Sequence, residues 1–384
     1  MKDLTNKKIA IVGGGPGGLT LARLLQMQGV DVKVYERDLH EDARAQGATL
    51  DLHEESGLLA LQKAGLMDAF KANYRPGADR LRLMDKYAHL LLDEHVNEKE
   101  EMFRPEIDRG PLQKMLLNSL QPGTVVWDSQ FLSLSTQGES WKLEFKNGAS
   151  ALADIVIAAD GANSKIRPYL TPIKPFYAGV TAIEGAVYHS ETASPKMHQL
   201  LNGGKIFAMG DDKTLIVSSK GDGSLAFYTS CKTDEHWGRE SGIDFSDKTS
   251  VTAWFSKEYA GWDPVWMELF ENAGPYFALR PIYCMPLDQT WEPLPDLTML
   301  GDAAHLMPPY AGEGVNMAML DALELSQCLM SDEYPTTLAA IAAYEKQMRI
   351  RAAEVARQSL DSTTVLHSSD AIPFFLELMG KTVQ

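Results

Sequence analysis

The chain has 384 residues, 45% hydrophobic and 23% charged, which excludes a disordered or fibrous protein and leaves material for one large core or two coupled domains. A formal net charge of -16, with no Lys/Arg block, excludes the clustered basic footprint that nucleic-acid binding requires. The three cysteines, Cys231, Cys284 and Cys328, lie far apart and form no C-x-x-C pair, so neither a disulfide framework nor a metal site is expected and the cytoplasm is the expected compartment.

Lys7 and Lys8 before Ile9 to Val12 imitate the start of a secretory signal, but the apolar run is only strand-length and ends in glycines and Pro16. No later run is long enough to span a bilayer, so no membrane role is expected. Residues 7 to 36 read as strand, tight turn, helix and strand. Lys8-Ile9-Ala10-Ile11-Val12 is a buried-strand pattern, Leu19 to Gln28 a helix ended by Gly29, and Val30 to Tyr35 a second strand.

The turn between them, Gly13-Gly14-Gly15-Pro16-Gly17-Gly18, is a G-x-G-x-x-G. Gly13, Gly15, Gly17 and Gly18 remove Cβ atoms where the chain turns tightly and where backbone approaches a pyrophosphate, and Pro16 opens a helix whose free N–H groups point at the phosphates. Glu36, ending the second strand, is placed to accept hydrogen bonds from an adenosine ribose, with Arg37 over the adenine. This motif alone does not separate FAD from NAD.

A further strand, Asp154 to Ala159, runs into Asp160-Gly161-Ala162-Asn163-Ser164-Lys165-Ile166-Arg167, a polar turn leading to a helix; on its own it also reads as an Asp capping a surface turn. A third strand, Leu297 to Leu300, runs into Gly301-Asp302-Ala303-Ala304-His305. There Asp302 is placed to bind ribityl hydroxyls, and the turn Gly312-Glu313-Gly314-Val315-Asn316 before a helix suits negative charge on the pyrimidine side of a reduced flavin. His305 reads as a satisfied buried imidazole, having no metal partner. Between these pieces, residues 175 to 280 alternate in polarity and are expected to form a mostly antiparallel sheet laid over the nucleotide domain as a roof. From Thr336 to about Val365 an alanine-rich, charge-laced pattern predicts a long helix.

Together these motifs resemble the GxGxxG, DG and GD motifs of the class A flavoprotein aromatic hydroxylases. The sequence is most similar to the tetracycline-inactivating flavin monooxygenases, on Val34-Tyr35-Glu36-Arg37, Thr49-Leu50-Asp51-Leu52-His53, Lys63-Ala64-Gly65-Leu66, Leu116-Leu117-Asn118-Ser119-Leu120 and the run Gly301 to Pro309. The resemblance implies an α/β fold with a Rossmann-like, GR2-type FAD domain (1-73, 105-174 and 280-325), an antiparallel substrate domain (74-104 and 175-279) and a C-terminal bridging helix (326-384). It implies FAD contacts from Glu36, Arg37, Asp51, Leu52, Arg109 and Asp302, with backbone near Pro309, Gly312 and Gly314; Asp160, Val315 and Asn316 complete the expected cofactor set.

NADPH is then a transient reductant, which agrees with the lack of a second G-x-G-x-x-G, and O2 adds to the reduced flavin to give a C4a-hydroperoxide that hydroxylates an electron-rich carbon. No side chain is expected to act as catalytic nucleophile or base, and a monomer is expected. Where the tetracycline enzymes carry Gln, Arg, His and Asn toward the drug, this chain has Glu184, Lys205, Ala226 and Ser218, a change that alters discrimination. Phe207, Ile216, Tyr228, Pro309 and Tyr310 are expected to wall an apolar slot for a planar polycyclic or phenolic substrate, tetracyclines first; plain core packing is the competing reading for each. A hydroxylase of another aromatic or polyketide compound is the near alternative. An FAD-dependent halogenase would want a W-x-W-x-I-P element, which the sequence lacks, and a flavin-binding sensor would lack substrate-dependent turnover.

Overall fold

The computed structural model describes residues 4, 6–43, 49–96 and 104–380. Its first layer is a five-stranded parallel sheet in the order β17-β11-β1-β2-β7, comprising β1 (Lys8–Val12), β2 (Asp31–Tyr35), β7 (Val125–Val126), β11 (Ile155–Ala158) and β17 (Leu297–Met299). β11 and β17 are buried along their whole length and β1 in all but its first residue. Parallel strands covered on both faces take such near-continuous apolar runs, whereas β2 buries only Val32 and Val34 fully. A small antiparallel sheet of β8 (Phe131–Gln137), β9 (Ser140–Phe145) and β10 (Ser150–Ala153) leads into β11.

The helix after the glycine turn, α1, spans Pro16–Met27. It begins three residues earlier than its apolar pattern indicates, because Gly15 serves as N-cap and Pro16 occupies the first turn, where the ring fixes φ and no N–H partner is lost. After Asp160-Gly161 the chain makes only a four-residue helical turn, Arg167–Leu170, rather than a helix of ordinary length.

The roof is a seven-stranded sheet in the order β16-β12-β15-β14-β13-β4-β5. It is built from β4 (Leu81–Asp85), β5 (Leu90–Asp93), β12 (Phe176–Val187), β13 (Lys205–Gly210), β14 (Lys213–Ser219), β15 (Leu225–Lys232) and β16 (Ala278–Cys284). Pairing is antiparallel throughout except between β13 and β4, so the expectation of a mostly antiparallel sheet holds. One face is covered by helices that the strand pattern of 175 to 280 did not indicate: α3 (Pro195–Leu201), α4 (Lys248–Glu258) and α5 (Met267–Glu271). Asp247 caps α4 by accepting from the N–H groups of Thr249 and Ser250, and Phe255 stacks on Phe270 at 3.8 Å.

The chain then returns to the first layer, where a short helix α6 (Asp302–His305) and α7 (Gly314–Met330) follow β17. The long helix α8 spans Thr337–Leu366. Near its start Tyr344 donates its hydroxyl to Met299 O on β17 at 3.1 Å. Just beyond its end His367 meets Ser230 of β15 at 2.8 Å. The final helix, α9 (Ala371–Leu378), packs on β13. No helix among the described residues is long and apolar enough to cross a membrane.

Candidate functional site

The glycine turn is tight on one side and open on the other. A Cβ on Gly13, whose φ is +113°, would lie 2.1 Å from Ala159 O, and one on Gly18 would lie 2.2 Å from Gly13 O, whereas one on Gly15 would meet nothing within 4 Å. Gly17 lies against Leu300 and Ala318. Gly15 therefore exposes backbone to space at the α1 N-terminus, the arrangement that admits a phosphate. Glu36, buried at the end of β2, accepts from Gly14 N–H at 2.6 Å and from Asp38 N–H at 3.0 Å; Arg37 beside it is exposed.

Asp302 opens α6, and a Cβ on Gly314 would lie 4.0 Å from its Oδ1. The carboxylate therefore faces the start of α7. Burial pushes the Asp302 carboxyl up, opposed by the charges of His305, Arg109 and Arg167. Arg109 is exposed at the first position of α2 (Arg109–Asn118).

Asp160 accepts from Lys165 N–H at 2.8 Å while its Oδ1 is buried without a partner, and burial raises its carboxyl. It thus ties the DG turn through Lys165 N–H. The sequence had not singled out Arg167, which is buried and donates to Ala162 O at 3.1 Å, Asp302 O at 2.9 Å and Ala303 O at 2.7 Å. It fastens the DG turn to the GD turn.

A third group joins β3 (Leu50–Asp51) to the loop before α7. His53 lies 3.0 Å from Asp51 Oδ2 and 3.3 Å from Glu313 Oε1. Burial lowers its basicity, but the two carboxylates outweigh that and hold the imidazole up to about 9. Asn316 accepts from His53 N–H at 2.9 Å and donates to Asp51 O at 3.0 Å and Gly312 O at 3.2 Å. Its side chain is thereby spent inside the loop, so what it offers a cofactor is backbone. Leu52 is fully buried, and Gly312 at φ +73° would bring a Cβ within 3.2 Å of Asp51 Oδ1. Val315 is partly buried beside it.

The roof residues fall into register on one face. Leu83, Phe207, Ile216, Tyr228 and Glu184 sit directly opposite one another across five strands, and Lys205, Ser218 and Ala226 form the neighbouring row. Tyr310 packs against this face, contacting the clusters that contain Phe207, Met209 and Ala182, so the roof closes over the loop that carries Pro309 and Gly312. Phe207 also packs on Phe375 of α9 at 5.1 Å.

The charged members of the face are already engaged. Glu184 is bonded by Arg280 at 2.9 Å and by the Tyr228 hydroxyl at 3.1 Å. Ser218 is buried, and Lys205 pairs with Glu106 of β6 (Glu106–Ile107) across the seam. Glu106, which had not been singled out, is buried, and that burial raises its carboxyl against the pull of Lys205.

Open space at Gly15 and a carboxylate facing the α7 N-terminus, beneath an aromatic roof, fit FAD. The profile of the FAD binding domain family matches residues 6–265 and 296–359. Monooxygenase penA of Penicillium thymicola is 28% identical over 373 residues, covering 84% of each chain. Among solved structures, Klebsiella pneumoniae HpxO complexed with FAD and uric acid superposes with a TM-score of 0.77 at 22% identity, covering 99% of this chain and 94% of that one. Tetracycline destructase Tet(51) superposes with a TM-score of 0.72 at 15% identity, covering 97% and 94%. At such identities the last two are likenesses of fold, so a special kinship to the tetracycline enzymes does not follow from them. The chain belongs to the FAD binding domain family, and its sequence relatives place it among the flavin-dependent monooxygenases.

Proposed function

We propose that this chain is an NADPH-dependent FAD monooxygenase that hydroxylates a planar compound of several fused rings, with tetracyclines the first substrates to test. The observation that carries the reading is the row Leu83, Phe207, Ile216, Tyr228 and Glu184 on one roof face. Glu184 on β12 and Lys205 on β13, in the neighbouring row, stand three strand spacings apart in the sheet, on the order of 14 Å. A ligand of several fused rings spans that distance; a single ring does not.

When bound, FAD supplies hydride acceptance and oxygen activation. The protein binds and orients. Gly15 and the α1 N-terminus hold the pyrophosphate, Glu36 the ribose, and Asp302 the ribityl chain, with the α7 N-terminus as an electrostatic partner for the pyrimidine edge. Phe207, Ile216, Tyr228 and Tyr310 exclude water and present a flat apolar wall to the substrate.

The test is flavin-loaded protein assayed for NADPH and NADH oxidation with a panel of tetracyclines, simple phenols and uric acid, products being identified by mass. Tetracycline-stimulated oxidation with a product one oxygen heavier is expected. Oxygenation confined to a phenol or to uric acid would favour the second reading, a hydroxylase of smaller rings, suggested by HpxO having been solved with uric acid. No substrate-dependent turnover with any of them would end the hydroxylase proposal.

A further inference from the structure

Beneath the Gly301-Asp302 turn lies a buried charged knot that the proposed reaction does not itself employ. Asp321 of α7 is fully buried, and its Oδ2 receives both Gly301 N–H at 2.8 Å and His305 Nε2 at 2.5 Å. Its Oδ1 takes Arg351 of α8 at 2.6 Å, and Arg351 also reaches Glu324 at 2.5 Å. One carboxylate thus joins the GD turn, the flavin-facing helix and the long C-terminal helix. Gly301 needs such fastening, since at φ +59° and ψ -144° it occupies a region open essentially to glycine alone.

The other side of the imidazole carries a second signal. His305 Nδ1 and Gln289 Oε1 are both buried without a partner, and both residues line the same small cavity, which has about 10 Å³ of room, close to what one water needs. Gln289 is oriented by its own Nε2, which donates to Ala304 O at 2.9 Å, so its carbonyl is the end left over.

We propose that His305 is the positioning residue of the flavin-facing Asp302 turn, acting as a doubly protonated imidazolium that donates Nε2–H to Asp321 and Nδ1–H to one buried water shared with Gln289. A neutral ring could also share that water, so the protonation state is decided by charge. Asp302 on its own helix and Asp321 on α7 face the ring; Arg351 on α8 opposes them and is itself engaged by Asp321 and Glu324, while Arg349 of α8 lies at the far side of the cavity. Burial disfavours the charged ring, but the two carboxylates prevail, and the balance is raised basicity. The imidazolium in turn opposes the desolvation of Asp302, keeping a carboxylate ionised in a turn that would otherwise favour the acid. The proposal rests on Asp302 facing the flavin.

The direct test uses the full-length, FAD-loaded protein with ¹⁵N-labelled histidine, followed by NMR across pH. The His305 signal is assigned by its loss in His305→Gln or, should that variant not fold, by its shift in Gln289→Ala. Both ring nitrogens protonated at pH 7.5 is the expected result; a neutral imidazole there overturns the proposal. The second readout is FAD affinity against pH, measured by flavin fluorescence quenching. In His305→Gln the acid limb of binding moves up by about one pH unit, because Asp302 has lost its cationic neighbour; an acid limb where the parent's lies would also overturn it. Asp302→Asn separates the two assignments. It removes the acid limb if Asp302 faces the flavin, and parent-like binding in that variant would refute the flavin role of Asp302 while leaving the NMR result intact.

Discussion

Two alanine substitutions, two residues apart, should fail in opposite ways. In Gly13→Ala the new methyl would lie 2.1 Å from Ala159 O. That oxygen belongs to backbone following β11, which is locked in register with β1 from Ile9 opposite Ile155 to Val12 opposite Ala158, so it cannot withdraw without parting two central strands. The residue also sits at φ +113°, a conformation costing a non-glycine residue about 1–3 kcal/mol before any clash. Together these predict a loss of about 3 kcal/mol or more, a large share of the roughly 5–15 kcal/mol that holds a domain together, and a melting midpoint at least about 4 °C lower in FAD-free protein.

In Gly15→Ala the methyl meets nothing within 4 Å, and φ -77° with ψ 176° suits alanine; the gain from a stiffer unfolded chain is offset by alanine being a poorer N-cap, so stability should change by no more than about 0.5 kcal/mol. The methyl stands, however, in the space assigned to the pyrophosphate. FAD affinity should fall at least about tenfold, or about 1.4 kcal/mol. Melting of apo protein and flavin titration separate the two effects. Parent-like FAD affinity in Gly15→Ala would refute the placement of the cofactor on this turn, and parent-like stability in Gly13→Ala would refute the close packing of Gly13 on Ala159 O.

His53, raised from 6.5 to about 9 in the folded protein, should contribute up to about 3 kcal/mol. Because its folded value lies above its unfolded one, that contribution is complete below pH 6.5 and disappears as pH rises through 9. The gap in melting midpoint between the parent and His53→Gln should therefore close between those limits; a gap that widens with pH would be contrary. Lys205→Met strands the buried Glu106 carboxylate and should cost about 3 kcal/mol. Adding Glu106→Gln should restore much of it, and additive losses in that double-mutant cycle would deny the pair. Phe375→Ala, which deletes the ring against Phe207, should destabilise by about 3 kcal/mol, lowering the melting midpoint.

What the sequence disclosed was one-dimensional. β1 and β11 are near-continuous apolar runs, and the glycine turn between β1 and α1 needs no distant information. The knot under Asp302 was not legible, because His305 meets Asp321 sixteen positions on, Arg351 reaches Asp321 across thirty, and Arg167 finds Asp302 O at a separation of 135. The roof lies between these cases. Alternation already puts Lys205 and Phe207 on one face, and Ile216 and Ser218 on one face; which residue stands opposite which depends on strand register, including the insertion of β4 beside β13. Even a correct face does not say whether a polar group is available. Glu184 was read as facing the substrate from the resemblance to the tetracycline enzymes, yet Arg280 on β16, adjacent to β12, occupies its Oε2. Arg280 is itself 58% exposed. A ligand bearing an acidic group could therefore compete with Glu184 for that guanidinium, and a ligand with only donors would have to break the pair. Glu184→Gln should accordingly favour acidic substrates over neutral ones in KM while sparing turnover, and an equal effect on both would place the pair outside the substrate cleft.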